Sequence, residues 1–494
     1  ATSWNRTAAT QSLLVKTYWE VAVGSYDALC IGIQSLSNSV AGTASPVGEA
    51  GAAVLLNETT VSGSFVAESG AAITFPMANG QYIMMAYDPA RAAIWYGNNG
   101  TWYDGSGSSA SSADILAEIV GSGTTSAIFT SIASEPIPMY GTYRANAVTF
   151  RFSAAQWGGS LPTGYSALNT STIATPAIED TSAYFQSTLY EGNSSTQSID
   201  QGGNSTFTPD FVWIKNRDAT DAHALFDVVR GVTKVISSDA ATAEAANDDT
   251  LTAFESDGFA LGDDVIVNTN AESYVAWQWK VGGSGSSNSD GSIGSTVSAN
   301  TTSGFSIVKY TGTGANGTVG HGLGVIPRMI LIKDTTNVES WIVYSAGVGN
   351  DGNLYLNLTN SKATSAIFQD TTPTSSVFSL GTTDGVNKAS GVHIAYCFNS
   401  VPGYSSMGSY EGNGAANGSF IYTGFSPSFV MCKSVDSTSD WYMYDSKRLG
   451  YNVDNNALLA NTTGVELTAD NIDILSNGFK MRIASDPNVA ETYI

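Results

Sequence analysis

Apolar residues occur along this chain in short runs, separated by clusters of Gly, Ser, Asn and Asp, and helical periodicity is nearly absent. Runs rich in Val, Ile, Phe, Tyr and Trp between turn residues are typical of antiparallel β-sandwiches. The pattern predicts strands at Tyr18–Val23, Gln81–Asp88, Ala92–Gly97, Ala147–Phe152, Phe211–Lys215, Tyr274–Lys280, Met329–Lys333, His393–Phe398 and Phe429–Lys433. We therefore expect an all-β protein of tandem antiparallel, jelly-roll-like β-sandwich domains.

An internal repeat organises the second part of the chain. One apolar strand ending in Lys is written three times, at Phe211–Lys215, Met329–Lys333 and Phe429–Lys433. Each copy follows a turn with a proline and is preceded by a Tyr-x-Gly turn. Each is followed by a Phe and then by a closing strand that begins with Tyr274, His393 or Tyr493.

These landmarks divide the chain into one domain and three repeats. The predicted parts are a β-sandwich at 1–180, repeat 1 at 184–283, a Gly/Ser-rich linker at 284–303, repeat 2 at 304–402 and repeat 3 at 403–494. The sequence begins at Ala1 with no n-region or h-region of a signal peptide, and the closing strand of repeat 3 stops at Ile494, so we expect this to be a piece of a longer or processed polypeptide. A lone strand stub would leave sheet hydrogen bonds unmade, so we expect the natural chain to continue past Ile494.

Composition and charge exclude several classes of partner. Charged residues make up only 13% of the chain, and the formal net charge is −23. Binding to nucleic acid or to an anionic membrane needs basic patches, so neither is expected. No apolar run approaches the ~18 residues of a transmembrane helix. The abundance of Gly, Ser, Thr, Asn and Ala is typical of secreted or particle-borne β proteins, and Cys30, Cys397 and Cys432 are expected to be buried.

The first domain resembles the SPRY (B30.2) family of concanavalin-like β-sandwiches. The resemblance rests on Tyr18-Trp-Glu-Val21, Ile31-Gly-Ile33, Tyr82-Ile-Met-Met-Ala-Tyr-Asp88, the hairpin from Ile94 to Trp102 and the late strand Val148–Phe152. It implies an N-terminal sandwich of that type.

The repeats resemble those of marine phage structural proteins, in which such a repeat follows a SPRY-like domain. The similar segments are Phe211–Gly231 and the junction phrase Tyr165–Ala177. The resemblance implies a virion structural protein, a tail fibre or appendage segment at the virion surface, that acts as a rigid spacer and contacts host-surface glycans. Its expected partners are other virion proteins and further copies of itself, as a homo-oligomer and, by analogy with fibres, a trimer.

Two alternatives to a virion protein remain open at this point. A secreted, extracellular bacterial adhesin or filament subunit would use the same units for attachment, and a glycan depolymerase would use paired carboxylates. The Asp248-Asp249 and Asp263-Asp264 pairs are adjacent in sequence and so point to opposite faces of a strand, which disfavours catalysis. They are interpreted as solvated loop charges.

Candidate catalytic residues are few, because the chain has only three histidines, His223, His321 and His393. His393 corresponds by repeat to Tyr274 and Tyr493, which favours packing of a flat ring over chemistry. No GxSxG, HExxH, P-loop or Rossmann motif is present. We expect no catalytic residues, no metal site and no cofactor, and therefore a non-enzymatic protein.

Two local groups are candidates for binding. Asp227 and Arg230 have equivalents in Asp445 and Arg448 but not in repeat 2, and are interpreted as an exposed ion pair that closes a turn. Aromatic and amide side chains at the hairpin of the first domain would suit sugar stacking and hydroxyl recognition. The predicted ligand-binding residues are Tyr96, Asn98, Asn99, Trp102, Tyr103 and Asp104.

Overall fold

The structure is a computed structural model of the 494-residue chain. It describes residues 5–8, 16–25, 29–35, 53–57, 64–66, 72–74, 80–104, 108–109, 112–121, 123–125, 127, 136–142, 147–168, 176, 178–448, 456–468 and 471–494. Side chains are described within these ranges except in parts of the first domain, Cys30 included.

The chain forms two compact units, residues 1–174 and 175–494. The first unit ends six residues before the boundary predicted at residue 180. The second unit contains all three repeats together, whereas the sequence predicts three separate domains. The fold class is all-β with antiparallel sheets, as the sequence predicts.

The described residues of unit 1 form two sheets and one helix. One sheet has the order β1-β10-β3-β4-β5-β6 and the other β11-β2-β7-β8-β9, with β12 beside β2 in parallel. The elements are β1 (Asn5–Ala8), β2 (Thr17–Ser25), β3 (Leu29–Ser35), β4 (Ala53–Asn57), β5 (Ser64–Val66), β6 (Ala72–Thr74), β7 (Tyr82–Asp88), β8 (Ala93–Asn98), β9 (Thr101–Tyr103), α1 (Ser112–Val120), β10 (Pro136–Thr142), β11 (Ala147–Arg151) and β12 (Ser166–Ala167).

Repeat 1 is a sandwich of two main sheets, with a further two-stranded sheet formed by β17 and β18. Its larger sheet has the order β13-β21-β15-β16 and its smaller sheet β14-β20-β19. The elements are a 3-10 turn (Thr181–Ala183), β13 (Phe185–Glu191), β14 (Gln197–Asp200), β15 (Phe211–Asn216), β16 (Ala224–Asp227), β17 (Lys234–Val235), β18 (Ala245–Ala246), β19 (Leu251–Glu255), β20 (Gly258–Leu261), α2 (Val265–Asn268) and β21 (Ser273–Trp279).

Repeat 2 has the same plan with a larger main sheet, in the order β22-β23-β24-β31-β26-β27-β28-β29, opposite the pair β25-β30. The elements are β22 (Ser286–Asn288), β23 (Ser295–Asn300), β24 (Phe305–Thr311), β25 (Gly317–Gly320), β26 (Met329–Asp334), β27 (Ile342–Ser345), β28 (Gly352–Tyr355), β29 (Ala363–Thr364), β30 (Val377–Leu380), α3 (Asp384–Asn387) and β31 (Val392–Phe398).

In repeat 3, residues 403–448, 456–468 and 471–494 form three small sheets, β34-β35-β36, β33-β38-β37 and β32-β39. The elements are β32 (Tyr410–Glu411), β33 (Phe420–Tyr422), β34 (Phe429–Cys432), β35 (Tyr442–Asp445), β36 (Leu458–Leu459), β37 (Ile472–Leu475), β38 (Gly478–Met481) and β39 (Thr492–Tyr493).

The repeated strand is apolar throughout because both of its faces are buried. In β15, Val212 and Ile214 point into the core between the two sheets of repeat 1. Phe211 and Trp213 point the other way, into a second core. Strands covered on both faces read as continuous apolar runs, since alternate residues have no solvent to face.

The second core is common to the three repeats, and we call it the shared core. Each repeat contributes the outward-facing residues of its main sheet, including Trp213, Trp277, Leu331, Tyr396 and Met443. Equivalent residues of β26 and β34 divide in the same way, so that each repeat also has a private core between its own two sheets. The three repeats are therefore packed against one another through their central strands.

The prediction of a linker at 284–303 is wrong. Strands β22 and β23 lie in this segment, and β23 pairs along its whole length with β24 of repeat 2. Val297 and Ile293, although surrounded by Gly and Ser, are 7% and 5% exposed and belong to the private core of repeat 2. A few apolar side chains are enough to add a largely polar segment to the sheet of repeat 2.

A substitution distinguishes a strand from a linker here. We expect Val297→Asp to lower the free energy of unfolding by about 2–4 kcal/mol, because it buries an unpaired carboxylate. Ser287→Asp, at an exposed position of the neighbouring strand β22, is the matched control and is expected to change it by less than about 0.5 kcal/mol. Chemical denaturation measures both; equal, small effects would restore the linker interpretation.

Candidate functional site

The predicted sugar-binding residues lie at the hairpin between β8 and β9. Asn99 and Gly100 form the turn with positive φ angles of 52° and 87°. Tyr96 pairs with Tyr103 across the two strands. The local structure is thus the hairpin that the sequence predicts.

The prediction that Tyr96, Asn98 and Trp102 bind a ligand is wrong, because these side chains are 0%, 4% and 4% exposed. Trp102 belongs to a core that Ile115 of helix α1 also joins. The sequence pattern predicts no helix at this place, and the helix is what covers one face of the hairpin. A buried ring cannot offer its face to a sugar.

The other three predicted residues are accessible to different degrees. Asn99 is exposed, whereas Tyr103 and Asp104 are half-buried. Asp104 is used locally, since its Oδ1 accepts a hydrogen bond from the backbone N–H of Ser108 at 2.9 Å. The structure therefore does not bring the six residues together as one binding surface.

A buried carboxylate in the same unit has a structural role. Glu20 is fully buried and accepts hydrogen bonds from the hydroxyl of Tyr18 at 2.7 Å and from the backbone N–H groups of Gly158 and Gly159 at 2.8 Å each. Burial and this carboxylate raise the pKa of Tyr18. The group fastens the 158–159 turn to strand β2.

The three histidines are buried, and burial lowers the pKa of each below its usual value. His393 stacks on Tyr310 with ring centroids 5.1 Å apart and an angle of 9° between the planes. The equivalent pairs are Tyr190–Tyr274, at 5.0 Å and 10°, and Tyr410–Tyr493, at 5.1 Å and 11°. The prediction that this position packs a flat ring is confirmed.

Equivalent ring residues join each repeat to another. Trp341 of repeat 2 donates its Nε1–H to the carbonyl oxygen of Ser237 in repeat 1 at 2.8 Å. Trp441 of repeat 3 donates to the carbonyl of Tyr355 in repeat 2 at 2.9 Å. In repeat 1 the equivalent residue is His223, whose Nε2 lies 3.0 Å from the carbonyl oxygen of Leu459 in repeat 3. We call these three contacts the seams.

Because repeat 1 contacts repeat 3, repeat 3 contacts repeat 2 and repeat 2 contacts repeat 1, the seams form a closed cycle. Backbone hydrogen bonds close the same cycle a second time. They run from Glu244 to Thr335, from Lys362 to Val435 and from Glu466 to Arg217, at 2.9, 2.8 and 2.9 Å. The second unit therefore has an internal, approximately threefold arrangement of its repeats.

The interpretation of Asp227 and Arg230 as an exposed ion pair is wrong. Their side chains are 0% and 2% exposed and 2.5 Å apart. Asp227 also accepts a hydrogen bond from the hydroxyl of Tyr396 in repeat 2 at 2.8 Å. In the equivalent contact, Trp277 of repeat 1 donates to Asp445 of repeat 3 at 3.2 Å. These pairs lie where one repeat meets the next.

Repeat 2 has no such pair, since Ser345 and Val348 occupy the equivalent positions. Val348 instead belongs to the shared core together with Ile494 of repeat 3. The same place in the fold thus holds an ion pair in two repeats and uncharged side chains in the third.

Each repeated strand carries one fully buried lysine, Lys215, Lys333 or Lys433. Each Nζ donates to the carbonyl oxygen of the following residue, at 2.6, 2.6 and 2.7 Å. Burial lowers the pKa of all three to about 8. The three ammonium groups hold the loop after the strand.

The described residues offer little for other chemistry. Among them, no group of three or more His, Cys, Asp or Glu side chains is arranged to hold a metal ion, and no helix has the length and apolar character to cross a membrane. Cys397 and Cys432 are buried free thiols, as expected, whereas the side chain of Cys30 lies outside the described residues.

A family model described as "Domain of unknown function (DUF7483)" matches residues 180–494, more than half of the chain. The chain belongs to the DUF7483 family. The matched region begins within six residues of the second unit and covers its seams and its shared core. No curated protein matches the chain.

The chain is also similar to a solved structure, the SPRY domain of human HERC1. The two are 11% identical, the match covers 31% of this chain and 84% of that one, and the TM-score is 0.19. At that TM-score the similarity carries no argument about fold or function. What characterises the DUF7483 region is its own geometry, three interlocked repeats around a shared core.

A pair of variants tests the buried ion pair. We expect Arg230→Met to lower the free energy of unfolding by about 3–5 kcal/mol, because it leaves the Asp227 carboxylate buried without its charge partner. The double variant D227S/R230V installs the residues of repeat 2 and is expected to recover most of that loss. Chemical denaturation measures the stability of both variants. A double variant no more stable than the single one would contradict the idea that the residues of repeat 2 can replace the ion pair.

The lysines predict a dependence of stability on pH. Between pH 8 and 10 the three lysines stay protonated in the unfolded chain and lose their protons in the folded chain. Their contribution to the free energy of unfolding therefore rises with pH in this range, and the gain is lost as the pH falls towards 8. Each lysine contributes at most about 1.4 kcal/mol per pH unit. Thermal unfolding at stepped pH measures the slope, and Lys333→Met is expected to reduce it. A slope unchanged in the variant would contradict the conclusion that the buried lysines cause the dependence of stability on pH.

Proposed function

We propose that the chain is a structural protein of a virus particle, a fibre or appendage segment that acts as a rigid spacer. The closed cycle of seams around a shared core is the observation that supports a spacer most directly. Motion of one repeat against another would break equivalent hydrogen bonds and expose apolar surface, which costs about 25 cal/mol for each Å².

The surroundings of the ionisable groups support a non-enzymatic role. His223, Asp227, Arg230 and Lys215 are buried and hydrogen-bonded within the protein. A general acid or base has to reach the atom that it serves, directly or through one water molecule. These groups reach other parts of the chain instead.

The surface chemistry supports a location on a particle or outside a cell. Charged residues are scarce and hydroxyl and amide groups are abundant, which suits rigid assemblies and contact with host-surface glycans. The partners that we propose are other virion proteins, further copies of the chain and such glycans. Asn99 at the exposed hairpin turn remains available for a contact of this kind.

Immunogold electron microscopy tests the location. With an antiserum against the recombinant chain, we expect gold particles on the fibres or appendages of purified virions. Uninfected host cells prepared in parallel are the control. Label on the surface of uninfected cells would identify a secreted adhesin or filament subunit instead and overturn the proposal.

A reducing-end assay on host polysaccharide tests the absence of catalysis. We expect no release of reducing ends by the recombinant chain, because the ionisable groups named above are hydrogen-bonded within the protein and do not reach a substrate. Asp263→Asn and Asp248→Asn serve as comparison variants at exposed acidic positions. Measurable turnover that a single Asp or Glu substitution abolishes would establish a glycan depolymerase.

A further inference from the structure

The three seams are equivalent in position but not in chemistry. Trp341 and Trp441 close two of them with an indole, which has no proton to gain or lose near neutral pH. His223 closes the third, between repeats 1 and 3, with an imidazole. An ionisable ring therefore stands at only one of the three seams.

Hydrogen bonding fixes the tautomer of His223. The indole Nε1–H of Trp213 lies 2.8 Å from Nδ1, and an indole nitrogen can only donate. Nδ1 must therefore accept, and Nε2 carries the proton that it donates to the carbonyl of Leu459. A second proton, on Nδ1, would set two donors against each other and break the bond to Trp213.

The charges that face His223 also oppose its protonation. Complete burial, with repulsion of a second proton by Lys215 on its own sheet and by Arg448 from repeat 3, holds the pKa of His223 at about 3. Asp239 is the acidic group beside it and accepts a hydrogen bond from the backbone N–H of His223 at 2.8 Å. Burial raises the pKa of that carboxyl above its usual value, and the carboxyl is bonded to the backbone of His223, not to its ring.

A salt bridge crosses the same seam. Glu466 of repeat 3 accepts from Arg217 of repeat 1 at 2.8 and 2.9 Å and from Arg448 at 3.1 Å. These partners lower the pKa of Glu466 below its usual value, so that it remains charged while the acid range of histidine is crossed. When exposed to solvent, histidine has a higher ordinary pKa than Asp or Glu, so on acidification an exposed His223 is the first of the groups at this seam to take up a proton.

We propose that the seam between repeats 1 and 3 is acid-sensitive, and that protonation of His223 favours its opening while the two tryptophan seams stay closed. In the open state the imidazole titrates near its ordinary value of 6.5, and in the closed state it does not. The open state thus takes up a proton as the pH falls below 6.5. Its population relative to the closed state rises up to tenfold per pH unit between 6.5 and 3.

The repeats themselves provide a variant that removes the titration and keeps the packing. In repeat 1 the large Trp213 accompanies the small imidazole of His223. In repeat 2 the smaller Leu331 accompanies the large indole of Trp341. The double variant W213L/H223W installs the pair Leu331 and Trp341 of repeat 2. Its indole is placed to donate to Leu459, as Trp341 donates to Ser237.

Hydrogen exchange followed by mass spectrometry from pH 7.5 to 4.5, corrected for the intrinsic rate, measures the opening. In the wild-type chain we expect protection of β16 and β36, which flank the histidine seam, to fall up to tenfold per pH unit below pH 6.5. Protection of β27, at a tryptophan seam, is expected to stay constant. In W213L/H223W the pH dependence at β16 and β36 is expected to disappear.

His393→Tyr is the matched control, since repeats 1 and 3 carry Tyr274 and Tyr493 at that position. It removes another buried histidine, and we expect it to leave the pH dependence at β16 and β36 unchanged. If W213L/H223W does not fold, His223→Gln keeps a donor and an acceptor without a titrating ring and is expected to abolish the slope. Protection that is flat in the wild-type chain, or a slope that survives in the histidine variants, would overturn the proposal.

Discussion

The second unit depends on one constraint, that the repeated strand of every repeat packs against a core on both of its faces. Alternate residues of β15, β26 and β34 enter either the private core of their own repeat or the shared core. A side chain on such a strand cannot be moved to solvent by a small rearrangement, because neither face is exposed. The repeats therefore stabilise one another, and the apolar surface on the outer face of each main sheet is covered only when all three are present.

The strands and the repeat could be predicted from the sequence because they are local patterns. The run Phe211–Lys215 and its copies are recognisable by their apolar residues alone, and the exchange of Tyr274 for His393 correctly indicates a stacked ring. Burial was harder to predict. Asp227 and Arg230 have the spacing of a local ion pair, but Tyr396, 169 residues away, covers them.

The predictions of a linker at 284–303 and of a binding site at the hairpin of the first unit were wrong for a similar reason. Gly and Ser dominate the segment, and its place in the sheet depends on where Val297 meets the core of repeat 2, which composition does not record. At the hairpin, strand alternation predicts that only half of the aromatic residues are buried. Trp95 and Tyr96, on opposite faces, are both fully buried. The seams were missed because their partners are remote backbone carbonyls, which carry no sequence signal.

Three repeats on one polypeptide differ from three identical subunits in how they respond to dilution. Separate subunits that close a cycle dissociate as their concentration falls, because the assembled form is favoured by mass action. Covalent connection makes the meeting of repeats intramolecular, with an effective concentration that is independent of how many molecules are present. The cycle that His223, Trp341 and Trp441 close is therefore as complete in a single isolated molecule as in a concentrated solution.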